Sequence, residues 1–505
     1  MTMTHPGLPI AWAITAGLFM LAFTCWSFIT PARVSLNRPT VSLANIAWLG
    51  PLFRYLVSQT RVLLILKVVF VGLFLLIIVA GLWGSPIAER NISTVLTWNL
   101  WWTGVIISVW FFGTSWCAVC PWDTIANWLV RHQMWRKSIS SVQLNLRVPS
   151  AFRSLWSALF MLTFLTWLEL GVGVTSSPYA TASLALMMVV LSTLALVIYR
   201  DKAFCRYFCP VGRTIGVYSQ LSPIALRPID QDICQSCPTL DCYHGNDTIE
   251  PCPTNLVMGR LQESTYCISC GNCTQSCPSN NINWQLRLPN TEAELDARPH
   301  DDEAGFMIGL LGLSSFHGIT MLPLWPQLIS QLARILGDSG TLIYTFTILL
   351  TIHMVAVFII YLIFVFMTKI LIQESSPQKI FSNFAFASLP IAFAYHVAHN
   401  LNHLFRESGN LQSVFLNPLG LDTQPLSMVE KHQRAMDLIT STEVIWVLQC
   451  VFLVLGFCLS MQVLKYRGSQ IFSAKDIQLL PMVVFCALMT GGSLWLLCQP
   501  MMMRM

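Results

Sequence analysis

The chain has 505 residues, of which 54% are hydrophobic and only 10% are charged, and its formal net charge is +5. An ordinary soluble domain has about 25% charged residues, so this composition excludes a soluble globular enzyme and favours a polytopic membrane protein. The basic residues are scattered along the chain, which argues against a nucleic-acid-binding surface and leaves them as a topology signal.

Ten apolar runs are long enough to cross about 30 Å of hydrocarbon as helices. They lie near residues 9–30, 61–83, 93–114, 152–174, 178–199, 305–331, 341–368, 381–402, 442–464 and 478–499. Pro323 and Pro326 weaken the end of the sixth run. The first run lacks a basic n-region and a cleavage site, so we expect it to remain as a span. We therefore predict an all-α membrane protein whose halves, residues 1–200 and 304–505, flank a polar domain at residues 201–303.

Lys and Arg residues collect after the first, third and fifth spans. These residues are Arg33, Arg38, Arg54 and Arg61, then Arg131, Arg136, Lys137 and Arg147, and finally Arg200, Lys202, Arg206 and Arg213. By the positive-inside rule, all three groups and the polar domain face the cytoplasm of a bacterial inner membrane. The acidic stretch at residues 292–303 is typical of a solvated connector before the sixth span.

The polar domain contains two cysteine runs that predict iron–sulfur clusters. The second run matches the C-x2-C-x2-C-x3-C-P pattern of bacterial [4Fe–4S] proteins, in which the fourth cysteine binds the neighbouring cluster. Crossed pairing predicts one cluster on Cys234, Cys237, Cys242 and Cys277, and another on Cys267, Cys270, Cys273 and Cys252. A pair of zinc sites is the alternative, but the remote Cys-Pro at the end of both runs favours a bacterial-ferredoxin-like domain with two clusters.

A second cysteine set follows the third and fifth spans, as Cys117 and Cys120 before Pro121, and Cys205 and Cys209 before Pro210. These four thiols are candidates for an additional metal site, for a redox-active dithiol, or for small buried residues at a packed corner. Nearby Arg206 and Arg213 lower the cost of thiolate charge, or else serve only as positive-inside anchors. The remaining cysteines are predicted to be small core residues: Cys25, Cys450, Cys458, Cys486 and Cys498.

Residues 60–285 resemble the membrane polyferredoxins related to NapH of periplasmic nitrate respiration, NosR of nitrous-oxide respiration and the oxidase accessory protein CcoG. The resemblance rests on the stretch from Trp116 to Pro121, the stretch from Phe204 to Arg213, and the paired ferredoxin runs. It implies a membrane electron-transfer subunit of the quinol dehydrogenase type that passes electrons between quinol and partner redox proteins. The stretched first run and the additional C-terminal spans depart from the shorter members of this group.

Five histidines in the C-terminal half are candidate cofactor ligands: His317, His353, His396, His399 and His403. Ionisable residues within a bilayer are costly and indicate function by default. The last three share one helix face. Histidine pairs on facing helices suit a b-type haem, a mononuclear copper, iron or zinc site, or proton handling beside quinol. Hydrogen bonding within the helix bundle is the simplest alternative.

The sequence therefore predicts a membrane-bound iron–sulfur electron-transfer protein, with quinone, lipid and redox proteins as its partners in a multi-subunit respiratory complex. Its role as an oxidoreductase subunit follows from the resemblance. The alternative is an assembly or metal-handling factor in which cluster electrons reduce metal ions or thiols.

Overall fold

The computed structural model describes residues 4–30, 39–47, 50–52, 55, 60–132, 142–406, 411–436 and 438–502. The described residues of the first half form six principal helices, and all of them except the amphipathic α4 are apolar enough to cross a membrane. They are α1 (Ile10–Ile29), α2 (Thr60–Trp83), α3 (Ile92–Phe112), α4 (Pro121–Arg131), α5 (Leu155–Val172) and α6 (Pro178–Ile198).

The polar segment contains short helices, and the second half again contains long apolar ones. The short helices are α7 (Pro210–Tyr218), α8 (Gln231–Gln235), α9 (Asp241–His244) and α10 (Asn272–Ser276). The second half comprises α11 (Asp301–Thr320), α12 (Trp325–Leu336), α13 (Ile343–Ile372), α14 (Pro377–Arg406), α15 (Leu411–Leu416), α16 (Met428–Met436), α17 (Thr442–Phe472) and α18 (Leu480–Cys498).

The described residues contain nine helices that could each cross a membrane, or ten spans if the bent pair α11 and α12 counts as one. This confirms the predicted all-α membrane protein with about ten spans. The sixth predicted span, near residues 305–331, forms a bent pair, because the chain turns by 97° between α11 and α12. Pro323 lies in the break and Pro326 lies in the first turn of α12, where a missing N–H group is tolerated.

Helix α14 forms the centre of the second half. It is buried along almost its whole length and packs against α11 and α17. Its apolar residues join those of α3, α5 and α7 in one hydrophobic core that extends across both halves of the chain. A polar side chain on α14 therefore faces protein and not lipid.

A small antiparallel sheet closes the polar segment. Its strands are β2 (Val41–Ser42), β3 (Ile224–Pro228) and β4 (Ile282–Leu286), in the order β2-β4-β3. Because β3 precedes the cysteine runs and β4 follows them, their pairing holds the two ends of the polar segment together. The chain termini pair separately, as β1 (Thr4–His5) with β5 (Met501–Met502).

The acidic stretch at residues 292–303 is solvated only in its middle, at Asp296 and from residue 298 to 301, so the prediction of a solvated connector is wrong for both ends. Glu292, Glu294 and Glu303 are all buried. Glu292 accepts hydrogen bonds from the guanidinium groups of Arg227 and Arg287, which neutralise its charge inside the protein. Glu292 therefore holds two parts of the polar segment together, since Arg227 and Arg287 both belong to that segment.

The orientation of the chain and the boundaries of its three regions remain predictions. The orientation rests partly on Arg33, Arg38, Arg54, Arg136 and Lys137, which lie outside the described residues.

Candidate functional site

The cysteines of the polar segment form two groups, of which the first is only partly buried. We call Cys234, Cys237, Cys242 and Cys277 the outer group, because all four are partly exposed and lie within electrostatic range of one another. Asn281 links the two sequence runs within this group. Its side chain donates a hydrogen bond to Cys234 Sγ at 3.4 Å, and its backbone N–H donates one to Cys277 Sγ at 3.4 Å.

The second group, which we call the inner group, consists of Cys252, Cys267, Cys270 and Cys273. Three of its members are buried, and backbone N–H groups donate to the sulfurs of Cys252 at 3.3 Å and Cys267 at 3.5 Å. Burial and the neighbouring Cys252 raise the pKa of Cys270 to about 12. In the outer group, by contrast, the backbone N–H groups of Leu240 and Thr239 lower the pKa of the exposed Cys237.

The second cysteine set comes together where two short helices begin, and we call it the helix-end group. Pro121 starts α4 directly after Cys120, and Pro210 starts α7 directly after Cys209, since proline fits the first helical turn. Gly212 N–H donates to Cys209 Sγ at 3.2 Å. A Cβ at Gly212 would lie 3.3 Å from this sulfur and 3.8 Å from that of Cys117, and Cys205 interacts electrostatically with Cys209 and Cys120.

Buried charged residues surround the helix-end group. Lys202 Nζ lies 2.6 Å from an Asp123 carboxylate oxygen. Arg213 is completely buried and donates from Nη1 to the Thr265 carbonyl at 2.6 Å, but its Nε and Nη2 have no hydrogen-bond partner within the described residues. Burial, together with nearby thiols, raises the pKa of Cys117 well above its usual range.

The helix-end group lies directly beside the inner group. Lys202 N–H donates to the Pro253 carbonyl at 3.1 Å, and Arg206 donates to the Thr254 carbonyl at 2.6 Å. The hydroxyls of Thr114 and Ser269 are 2.7 Å apart. Three cysteine groups therefore form a contiguous series from the partly exposed surface of the polar segment to the ends of the membrane helices.

The series ends at an apolar cavity of about 170 Å³ among α2, α3, α5 and α6. Its lining includes Cys120, Glu169 and five tryptophans, namely Trp98, Trp101, Trp102, Trp116 and Trp122. The buried indole N–H groups of Trp116 and Trp122 have no hydrogen-bond partner within the described residues. The cavity therefore has a largely apolar wall whose lining includes one carboxylate side chain.

The structure divides the five candidate histidines into three environments. His317 on α11 converges with His399 and His403 on α14, and their ring centroids are 4.9, 5.3 and 6.3 Å apart. His353 instead lies 2.9 Å from Ser315 Oγ. His396 faces Tyr218, whose hydroxyl is 3.3 Å from its Nδ1.

Glu169 is a site residue that sequence reasoning missed. Its carboxylate lies 3.6 Å from His317 Nδ1 and also lines the apolar cavity. A lone acid within the apolar span α5 was the available signal, because intramembrane charges are rare and functional.

Comparisons with known proteins give partial matches of low identity. The chain is 28% identical over 137 residues to YccM of Escherichia coli, whose name describes an electron transport protein; the match covers 26% of this chain and 36% of YccM. It is 29% identical over 101 residues to the ferredoxin-type protein NapH of Haemophilus influenzae, covering 18% of this chain and 32% of NapH. An uncharacterized protein of Methanocaldococcus jannaschii, MJ0749, is 24% identical over 242 residues, covering 47% of this chain and 89% of that protein.

No protein-family model and no solved structure matches the chain. The chain thus spans about a third of YccM and NapH. These matches support a relationship to NapH-like polyferredoxins.

Proposed function

We propose that this chain is a membrane electron-transfer protein that exchanges electrons between a quinone or quinol in the apolar cavity and a redox partner at the outer group. The observation that carries this proposal is the unbroken series of outer, inner and helix-end cysteine groups, whose last member, Cys120, lines the cavity. The names of YccM and NapH, an electron transport protein and a ferredoxin-type protein, agree with it.

The outer and inner groups fit [4Fe–4S] clusters better than zinc ions. A tetrahedral zinc ion with Zn–S bonds of about 2.3 Å would bring its sulfurs within about 3.8 Å of one another. Within the described part of the chain, the only group of three or more potential ligands whose atoms all lie within 4.8 Å consists of histidines. The wider cysteine groups, with N–H donors directed at their sulfurs, suit clusters, which would supply one-electron transfer when bound.

The helix-end group suits a further metal–thiolate centre. The positive ends of α4 and α7 and the buried Arg213 favour negative charge at Cys120 and Cys209. The two guanidinium nitrogens of Arg213 without partners could donate to sulfur. This arrangement also explains the small residue at position 212, because a side chain there would crowd the sulfurs of Cys117 and Cys209.

The apolar cavity suits a quinone head group. Quinone oxygens would accept hydrogen bonds from the indole N–H groups of Trp116 and Trp122, while the surrounding rings exclude water. Glu169 is placed to accept a proton at its carboxylate when quinol is oxidised, because it lines the same cavity. The outer group, with its partly exposed cysteines, is the surface for a partner protein, on the cytoplasmic side of a bacterial inner membrane.

The test is to add a quinol analogue to the anaerobically purified protein and to monitor reduction by the absorbance of the iron–sulfur chromophores. Cys25 is exposed on α1, so the prediction that it is a core residue is wrong, and it provides a control. We expect rapid bleaching in the wild type, unchanged bleaching in Cys25→Ser, and strongly slowed bleaching in Cys120→Ser. No quinol reaction combined with copper-dependent reoxidation would contradict the proposal and support the metal-handling alternative.

A further inference from the structure

Three histidines inside the second membrane half lie close enough together to ligate one ion. The potential ligand atoms of His317, His399 and His403 all lie within 4.8 Å of one another. We propose that these side chains bind a single divalent first-row transition-metal ion, separate from the cysteine groups.

The helical framework places the three donors on packed elements. His399 and His403 are four residues apart on α14, the spacing by which two histidines on one helix face bind a metal ion in HExxH proteins. His317 comes from α11, which packs against α14. His399 and His403 are only 3% and 7% exposed, so the site is held within the protein. Imidazole donors suit zinc, copper, iron and nickel.

Glu169 acts on this site as a positioning residue. Metal-bound histidines usually donate their second ring N–H to a carboxylate, which fixes the tautomer and the ring orientation. Glu169 Oε1 lies 3.6 Å from Nδ1 of His317, so a small rotation would form this hydrogen bond and direct Nε2 to the metal. The carboxylate also offsets part of the charge that the ion brings into an apolar region.

The space beside the histidines suits a metal ion with bound water and not a haem. The adjacent cavity, lined by His317, His399, Thr166, Ser314 and Asn400, has a volume of about 40 Å³. One water needs about 10–15 Å³ measured in this way, whereas pockets for larger ligands reach about 300–1,000 Å³. Three protein ligands with one open, hydrated position is the arrangement of reactive rather than structural metal sites.

The experiment compares metal and acid-labile sulfide in the full-length protein, purified anaerobically, as wild type, His399→Ala, His403→Ala and His353→Ala. His353 is the matched control, since it is an intramembrane histidine whose ring contacts Ser315 and Phe316 instead. We expect His399→Ala and His403→Ala to contain one metal ion per chain less than the wild type, with sulfide unchanged. His353→Ala should retain the ion.

Cobalt binding gives a second, activity-independent readout. After mild chelation, Co²⁺ should restore a visible ligand-field spectrum in the wild type, and Glu169→Gln should weaken Co²⁺ binding about 10–100-fold, as loss of such a supporting carboxylate does. Equal metal content in all variants, or a haem absorption band that disappears in His399→Ala, would overturn the proposal. Neither result would affect quinol reduction of the cysteine groups, so the two proposals fail separately.

Discussion

The cysteine-rich segment and the histidine site differ in how their ligands are encoded. Eight cysteines lie between Cys234 and Cys277, so their spacing alone indicates their chemistry. The histidine site combines residues from α5, α11 and α14, and only the packing of these helices shows that His317 belongs with His399 and His403. Local motifs reveal a site directly, whereas a site shared among helices becomes visible only with the fold.

Loss of one inner-group thiol should have the largest effect on metal content. It should affect the cysteine-rich segment and leave the histidine site unchanged. We expect Cys273→Ser to lose about four irons and four sulfides per chain and all electron transfer through the polar segment, because the cluster loses one of its four thiolate ligands. The histidine-bound ion should remain. Iron and sulfide analysis beside Cys25→Ser is the measurement, and full cluster content in Cys273→Ser would show that this ligand assignment is wrong.

Removal of the buried Glu292 ion pair should have the next largest effect, this time on stability. Burial would raise the pKa of Glu292, but Arg287 and Arg227 outweigh it and lower the pKa below its usual range. We expect Glu292→Gln to destabilise the polar segment by about 3–5 kcal/mol, because the buried Arg287 and the partly buried Arg227 lose their counter-charge. The histidine site, in the other region, should be largely unaffected.

The same ion pair predicts acid sensitivity. Because the folded-state pKa of Glu292 is lowered, its stabilisation is present above the unfolded pKa of about 4.3 and is lost as pH falls through the folded value. The temperature of cluster loss, measured at neutral pH and near pH 4, should fall less in Glu292→Gln than in the wild type. The surface pair of Glu374 and Lys379 provides the control Glu374→Gln, for which we expect a much smaller difference from the wild type, because solvent screens this pair.

Substitution of the cavity tryptophans should produce the smallest effect, a modest loss of quinone affinity. Trp116→Phe and Trp122→Phe each remove one indole donor while keeping an aromatic wall, so quinone affinity should fall about 2–12-fold, corresponding to one hydrogen bond of about 0.5–1.5 kcal/mol. Binding of a quinone analogue, measured beside Trp495→Phe on the exposed face of α18, would check this. Unchanged affinity in both variants would exclude these indoles as quinone ligands.

The membrane helices could be predicted closely, because a long apolar run leaves few alternatives: the expected span at 9–30 is the helix Ile10–Ile29. The 97° bend after Thr320 could not, since two prolines indicate a break but not its angle. Burial of Glu292 was also missed, because its partners Arg227 and Arg287 approach it only through the β3–β4 sheet.

Local helix geometry marks the same residues that the fold brings together. The chain forms π turns at Val95–Trp101, Leu168–Val172, Phe204–Phe208 and Glu292–Asp296. The first of these turns contains the cavity residues Trp98 and Trp101, and the second contains Glu169. The third contains Cys205 and the fourth contains Glu292. π turns are rare and concentrate at functional sites. Their presence at the cavity and at the helix-end group is therefore evidence for function at both places that does not depend on the cysteine motifs.

Metal and sulfide analysis of the anaerobically purified full chain, combined with EPR after reduction, tests the two-cluster assignment most directly. We expect at least eight irons and eight sulfides per chain and the spectrum of two interacting reduced [4Fe–4S] clusters. Stoichiometric zinc without iron or sulfide in the outer and inner groups would contradict it.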